Sequence, residues 1–333
     1  VLAWLAAAGC ATSPAPGQPA ARAEGPAWPP PPHRACVRFI ASVDRPQDWG
    51  VRTGWLARLG TWLTGSESGA LVRPTGVAVS GRTLWIADPG APAVWAWDAA
   101  GGRAERITRI GEHALASPVA VAPGRNGTVY VADSSLGLVW QCDARGRLRQ
   151  SFENPGFQRP VGLAYDARRE RVYVADSGVH RVWIFDRDGR WRGSLGQRGE
   201  APGSFNFPTY LALTPPGVLY VTDSLGFRVQ RFSPDGAWLG SIGRHGDVSG
   251  DFAMPKGIAL DRDSHLYVVD ALFDAVQVFD AGGRFLLGVG ERGTGPGQFW
   301  LPAGLWIDTD GRIYVADAHN HRIQVLEYVG SAP

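Results

Sequence analysis

Lysine is almost missing from this chain. Of 333 residues 33 are basic, yet only Lys256 is lysine and the rest are arginine. That skew fits a GC-rich genome, so a single arginine is weak evidence of function. Cysteine is equally scarce: Cys10, Cys36 and Cys142. Cys36 and Cys142 could in principle pair, but two isolated cysteines are no disulfide framework. Charged residues make up 19% and the formal net charge is +2, which excludes a nucleic-acid binder relying on a broad basic surface. Beyond the first residues no apolar run approaches the length of a membrane-spanning helix. A Gly-rich phosphate loop, a Gly-x-Ser-x-Gly elbow and a His-Glu-x-x-His motif are all missing.

Turn formers are abundant instead. The 44 glycines and 25 prolines make up about a fifth of the residues, against roughly 12% in ordinary proteins. Both residues break helix interiors, so long helices are excluded. Disorder is excluded too, because 44% hydrophobic and 11% aromatic residues are ample for a core.

The turn formers recur in register. A Val/Leu/Ile-Tyr/Trp-Val/Ile-x-Asp segment ends at Asp88, Asp133, Asp176, Asp223, Asp270 and Asp317, at spacings of 45, 43, 47, 47 and 47. About ten residues before each segment a proline opens a short apolar strand: Pro74, Pro118, Pro160, Pro208, Pro255 and Pro302. A third strand begins six residues after each Asp, and a Gly-containing turn leads to a fourth, as in Phe285-Leu-Leu-Gly-Val289. Four short strands per unit at a period in the forties predict propeller blades. The fold class is therefore all-β: a six-bladed β-propeller of four-stranded antiparallel blades. The last unit has three strands. The segment Cys36–Val43 is expected to supply its fourth and close the ring, which removes an exposed edge.

These repeats resemble the NHL family of six-bladed propellers. Ile313-Tyr-Val-Ala-Asp317-Ala-His-Asn-His-Arg322 carries the Asn320-His321-Arg322 element, His180-Arg181 survives in the third repeat, and Arg228 in the fourth. The loops Gly199–Phe205 and Gly293–Phe299 also look like the family's blade connections. The resemblance covers roughly 71–328. It specifies fold more than activity.

The N-terminal stretch reads differently. Residues 1–10 end in Ala8-Gly9-Cys10 and resemble a bacterial lipoprotein signal, with Cys10 lipidated. Residues 11–35, rich in Ala and Pro, suit a tether between membrane and domain. The propeller then spans 36–330. The expectation is a periplasmic, membrane-anchored monomer. Residues 44–73 break the repeat with a helical insertion. Trp55, Leu56, Leu59, Trp62 and Leu63 fall on one helical face. Trp55, Leu59 and Trp62 make either a cap packed on the propeller or a patch for a partner or membrane.

In a propeller the loops after the second strand and the entries to the first share one face, the channel mouth. The candidate ligand-binding residues there are Thr209, Lys256, His180, Arg181, Phe227, Arg228, Phe273, Asp274, Trp300, His319 and His321. The Asp ring itself reads as structural, with carboxylates accepting backbone N–H groups and pairing with loop arginines. Two function classes stay open. The first is a non-catalytic scaffold whose mouth binds a protein, peptide or glycan, with no cofactor and no nucleic acid. The second is a metal-dependent lyase or lactonase. The NHL resemblance brings in peptidyl-hydroxyglycine lyases, whose zinc is held by histidines that include one just after an entry proline, and gluconolactonase-type calcium enzymes. Here no entry proline precedes His, and His180, His319 and His321 are a partial zinc set. Asp186-x-Asp188, Asp261-x-Asp263 and Asp308-x-Asp310 read as hairpin turns rather than calcium loops.

Overall fold

The computed structural model describes residues 25–30, 33–51 and 70–330. Alternating apolar strands and tight turns build each repeat into an antiparallel sheet. Blade one runs Gly76–Ser80, Thr83–Asp88, Ala93–Asp98 and Arg103–Ile107. The innermost strands of the next five blades are Pro118–Pro123, Pro160–Asp166, Pro208–Leu213, Pro255–Leu260 and Leu305–Ile307. They pack side by side in chain order, and the sixth returns to the first. The chain is a six-bladed propeller.

The ring closes as the pattern predicts. Val37–Val43 pairs antiparallel with Arg322–Tyr328, with Val37 opposite Tyr328 and Val43 opposite Ile323. One feature differs from the expected tether. Ala27–Trp28 adds a fifth, outermost strand to blade six, with Ala27 opposite Arg38. The end of the Pro-rich stretch thus packs on the blade, because Trp28 reaches the apolar cluster between blades five and six. The insertion falls mostly outside the described residues, and Trp55, Leu59 and Trp62 lie among those not described, as does Cys10. Its described start buries Trp49 against blade one, where the indole N–H donates to the Arg82 carbonyl at 3.1 Å. No helix of the described residues is long and apolar enough to cross a membrane.

The core lies between blades rather than within them. One sheet cannot cover both of its faces, so neighbouring sheets share each apolar layer. Tyr173 and Val182 of blade three, for example, pack with Leu219, Val221 and Phe232 of blade four. Cys36 and Cys142 are both buried and do not form a disulfide with each other, and burial, with some help from Asp143, pushes the Cys142 thiol up to about 12. The last three blades share a further device. Gln230, Gln277 and Gln324 accept the N–H groups of Gly203, Gly250 and Gly297 at 3.0, 2.8 and 2.8 Å, which fastens the connection entering each blade. The same register holds Trp95, Trp140 and Trp183 in the first three blades.

Close approach of the inner strands explains the glycine that follows several entry prolines. A Cβ on Gly162 would lie 1.9 Å from the Thr209 carbonyl oxygen of the next blade, and one on Gly257 2.5 Å from the Ala303 oxygen. Neither obstacle is a movable side-chain end. Gly162→Ala is therefore expected to cost about 3 kcal/mol, the upper range for overpacking. Denaturant unfolding measures it, and a loss under about 0.5 kcal/mol would show that the blades can separate freely.

Candidate functional site at the channel mouth

The mouth is built from buried carboxylates upward. All six strand-end aspartates are 0% exposed. Asp88 accepts the Val72 and Arg73 N–H groups at 2.7 and 2.9 Å. Asp133 does the same for Ala116 and Ser117, Asp176 for Gln158 and Arg159, and Asp270 for Ala253 and Met254. Each carboxylate thereby pins the entry of its own blade. Blades four and six depart from this. Asp223 accepts the Asn206 N–H and the Arg228 guanidinium, and Asp317 accepts the Trp300 N–H and the Arg322 guanidinium. The second entry N–H is passed to the preceding blade: Phe207 donates to His180 Nδ1 at 3.2 Å, and Leu301 to Asp274 at 2.6 Å.

His180 and Asp274 sit four residues after their aspartates. His180, Phe227, Asp274 and His321 share that position and have φ of 55°, 52°, 51° and 57°. His and Asp tolerate this left-handed conformation better than most residues. The turn sends these side chains sideways into the gap between blades. Phe227 stacks on His245 with centroids 4.2 Å apart, and His321 Nδ1 contacts the Val72 carbonyl of blade one. His180 and Asp274 are buried. These expected mouth residues are thus joints between blades. Thr209 is another: its hydroxyl bonds Ser224 at 2.7 Å, which donates to the Pro255 carbonyl at 2.7 Å. Arg228 is held by Asp223 and by the Glu200 and Ser204 carbonyls.

The histidines do not converge. His180 lies in the gap between blades three and four, while His321 lies in the opposite gap between blades six and one. His319 is exposed and rests on Trp300, with ring centroids 5.6 Å apart. The one trio of metal-ligand-type side chains among the described residues is Asp261, Asp263 and His265, in the first turn of blade five at the other end of the propeller. Asp261 accepts the N–H groups of residues 263 and 265, both at 2.9 Å. Asp186 and Asp308 hold their turns in the same way, without a histidine. All three are turns, as the sequence predicts.

Two residues at the mouth, Tyr210 and Arg73, were not among the candidate ligand-binding residues. Tyr210 follows an entry in place of glycine. It reaches from blade four across the axis to blade one, where its hydroxyl donates to the Thr75 carbonyl at 3.2 Å. Burial pushes its pKa up. The signal for it was the bulky residue where neighbouring entries carry Gly or Ala. Inside the ring lies a cavity of about 200 Å³, lined by the inner strands and by Tyr210, Tyr165 and Trp306. Arg73 precedes the first entry proline, and Lys256 follows the fifth. Burial first, and the Arg73 charge second, hold the Lys256 ammonium below the usual lysine range. Around them the rim exposes Val72, Leu136, Leu225, Leu272 and Trp300, with Leu272 54% exposed. Phe273 is half-buried and Arg181 exposed.

Comparison with known proteins places these features. Residues 157–185 and 299–326 match the NHL repeat model. The chain carries NHL repeats. They are blades three and six, which keep His180-Arg181 and Asn320-His321-Arg322. No curated protein matches the sequence. Among solved structures, the propeller is similar to a catalytically inactive virginiamycin B lyase from Staphylococcus aureus with quinupristin. Identity is 16% over 77% of this chain and 95% of that one, with a TM-score of 0.58. A protein of unknown function from Bacteroides thetaiotaomicron is 19% identical over 78% of this chain and 70% of that one, with a TM-score of 0.62. A chain from a nidogen/laminin complex is 20% identical over 64% of this chain and 78% of that one, with a TM-score of 0.53. At these identities the likeness shows the propeller fold alone.

If the buried histidine is a joint, His180→Ala should lower stability by about 1–2 kcal/mol, the range for leaving a buried N–H unpaired. His319→Ala should stay within about 0.5 kcal/mol, as exposed substitutions do. Urea unfolding of both variants checks this, and equal effects would argue against the blade-joint role.

Proposed function

We propose that this NHL propeller is an exported, lipid-tethered binding scaffold whose mouth face engages a protein, peptide or glycan. One observation carries the reading. The polar side chains that the mouth offers for acid–base or metal chemistry, His180, Asp274, Thr209 and His321, are already spent on joining blades. The apolar residues of the rim and part of its cations are not. Apolar anchors on rigid loops with charges among them suit recognition. Ala8-Gly9-Cys10 and the Pro-rich stretch after it support attachment through lipid on Cys10, facing the periplasm. The nidogen/laminin complex shows a protein of this fold class within a protein assembly.

The second reading is a metal-dependent lyase or lactonase at the same mouth, favoured by the likeness to virginiamycin B lyase. It requires ligands at one point, and His180, His319 and His321 occupy three different places. Metal analysis of protein purified without chelator separates the two, and stoichiometric zinc or calcium would falsify the scaffold reading. For the scaffold, paired Leu225→Glu and Leu272→Glu substitutions should cut partner cross-linking in native membranes about tenfold, the loss expected for a rim anchor, with unchanged melting temperature. Undiminished cross-linking moves the binding surface elsewhere. Mass spectrometry should find Cys10 diacylated, and an unlipidated Cys10 in the full-length protein refutes the tether.

A further inference from the structure

The electrical balance of the mouth points to a ligand class. The loops after each second strand and the residues flanking the entry prolines carry one carboxylate besides the strand-end aspartates, Asp274, and that one is buried and accepts the Leu301 N–H. Two mouth arginines, Arg228 and Arg322, are consumed by Asp223 and Asp317. Among the described residues, the side chains of Arg73, Arg159, Arg181 and Lys256 have no ion pair or hydrogen bond. The strands that carry Lys256 and Arg73 meet through blade six, where the Gly257 N–H donates to the Ala303 carbonyl at 2.9 Å and a Cβ on Gly304 would lie 2.4 Å from the Thr75 carbonyl oxygen. Lys256 is half-buried, and the Arg73 charge adds to burial in disfavouring its ammonium. Two like charges sharing a partly desolvated place raise each other's energy, and an anion between them relieves both.

The surroundings hold the backbone of these two residues in place. On blade five, the Thr222 hydroxyl donates to the Lys256 carbonyl at 2.8 Å and Ser224 donates to the Pro255 carbonyl. On blade one, Asp88 holds the N–H groups of Val72 and Arg73. Blade six, which lies between them, has Ala303 where blade five has Lys256, so no long side chain fills that place. Beneath, Tyr210 bars the axis by its bond to Thr75, two residues after Arg73. Charge, anchoring and floor coincide.

We propose that the mouth seats an oxyanion, a carboxylate or phosphate group of its ligand, between Lys256 and Arg73 and above Tyr210. This rests on the reading of the mouth as a binding face and adds the chemistry it selects. Both cations offer charge-assisted hydrogen bonds, the strong kind for carboxylate and phosphate.

The single lysine makes the test direct. Full-length protein grown with isotope-labelled lysine gives one side-chain NMR signal, assigned by its loss in Lys256→Met. Titration with inorganic phosphate, and separately with N-acetylglycine, should move that signal saturably, and the probe that saturates names the group. Arg73→Ala should weaken the effect about tenfold, as loss of one charged contact does. No saturable shift with either probe, or a shift that sodium chloride of matched ionic strength reproduces, overturns the site. The two readings fail separately. Partner cross-linking that survives without any titration shift leaves the scaffold standing and removes the oxyanion. A saturating lysine signal with cross-linking unaffected by the rim substitutions does the reverse.

Discussion

A buried carboxylate at the end of each second strand is the constraint on which this propeller depends. A carboxylate with no solvent exposure is costly unless donors surround it. Each of the six finds them in the chain that enters its own blade, at hydrogen-bond distances of 2.5–2.9 Å for the closest entry N–H. This fixes where every inner strand begins and sets the entry prolines on one level around the axis. In blade four the compensation is incomplete: burial pushes the Asp223 carboxyl up, against the Asn206 N–H and Arg228 that pull it down. That is the blade where one entry N–H has been passed to His180.

The ring is stitched in two styles. The first three blades place Trp95, Trp140 and Trp183 where the last three place Gln230, Gln277 and Gln324. The tryptophans fill the layer between sheets. The glutamines trade that area for hydrogen bonds to the incoming loop and, in blades four and six, to the aspartate as well. In each of these blades the glutamine lies 27 residues after the glycine whose N–H it accepts, so that part of the repeat keeps one length.

The fold was legible because its determinants are local. Strand length, turn chemistry and the Asp period each report on a few neighbouring residues, and closure by 37–43 followed from counting strands. The site was legible only in part. Loop order places His180, Asp274 and His321 on the mouth face, but the direction of a side chain depends on φ, and a left-handed φ turned these three into the gaps between blades. Lys256 was visible as a singular residue, whereas its proximity to Arg73 comes from two entries 183 positions apart in the sequence. Ala27–Trp28 was hidden because prolines signal an extended tether and say nothing of where a tryptophan among them will pack.

Positions that join blades have little freedom, so the mouth's specificity must lie in the positions that do not. These are the second or third residue after each aspartate, the residue before the entry proline and, outside Thr75 and Thr209, the residue after it. Leu225, Leu272, Arg73 and Lys256 occupy such places. The chemistry of Lys256 fits its setting. Guanidinium remains charged under all ordinary conditions and needs many hydrogen-bond partners when desolvated. An ammonium is a compact charge on a flexible stem, and burial can lower its pKa rather than unfold the protein. A chain that uses arginine at every other basic position keeps a lysine where a half-buried cation must stand without a carboxylate among the described residues. Arginine there would bring a larger planar group and more donors to satisfy.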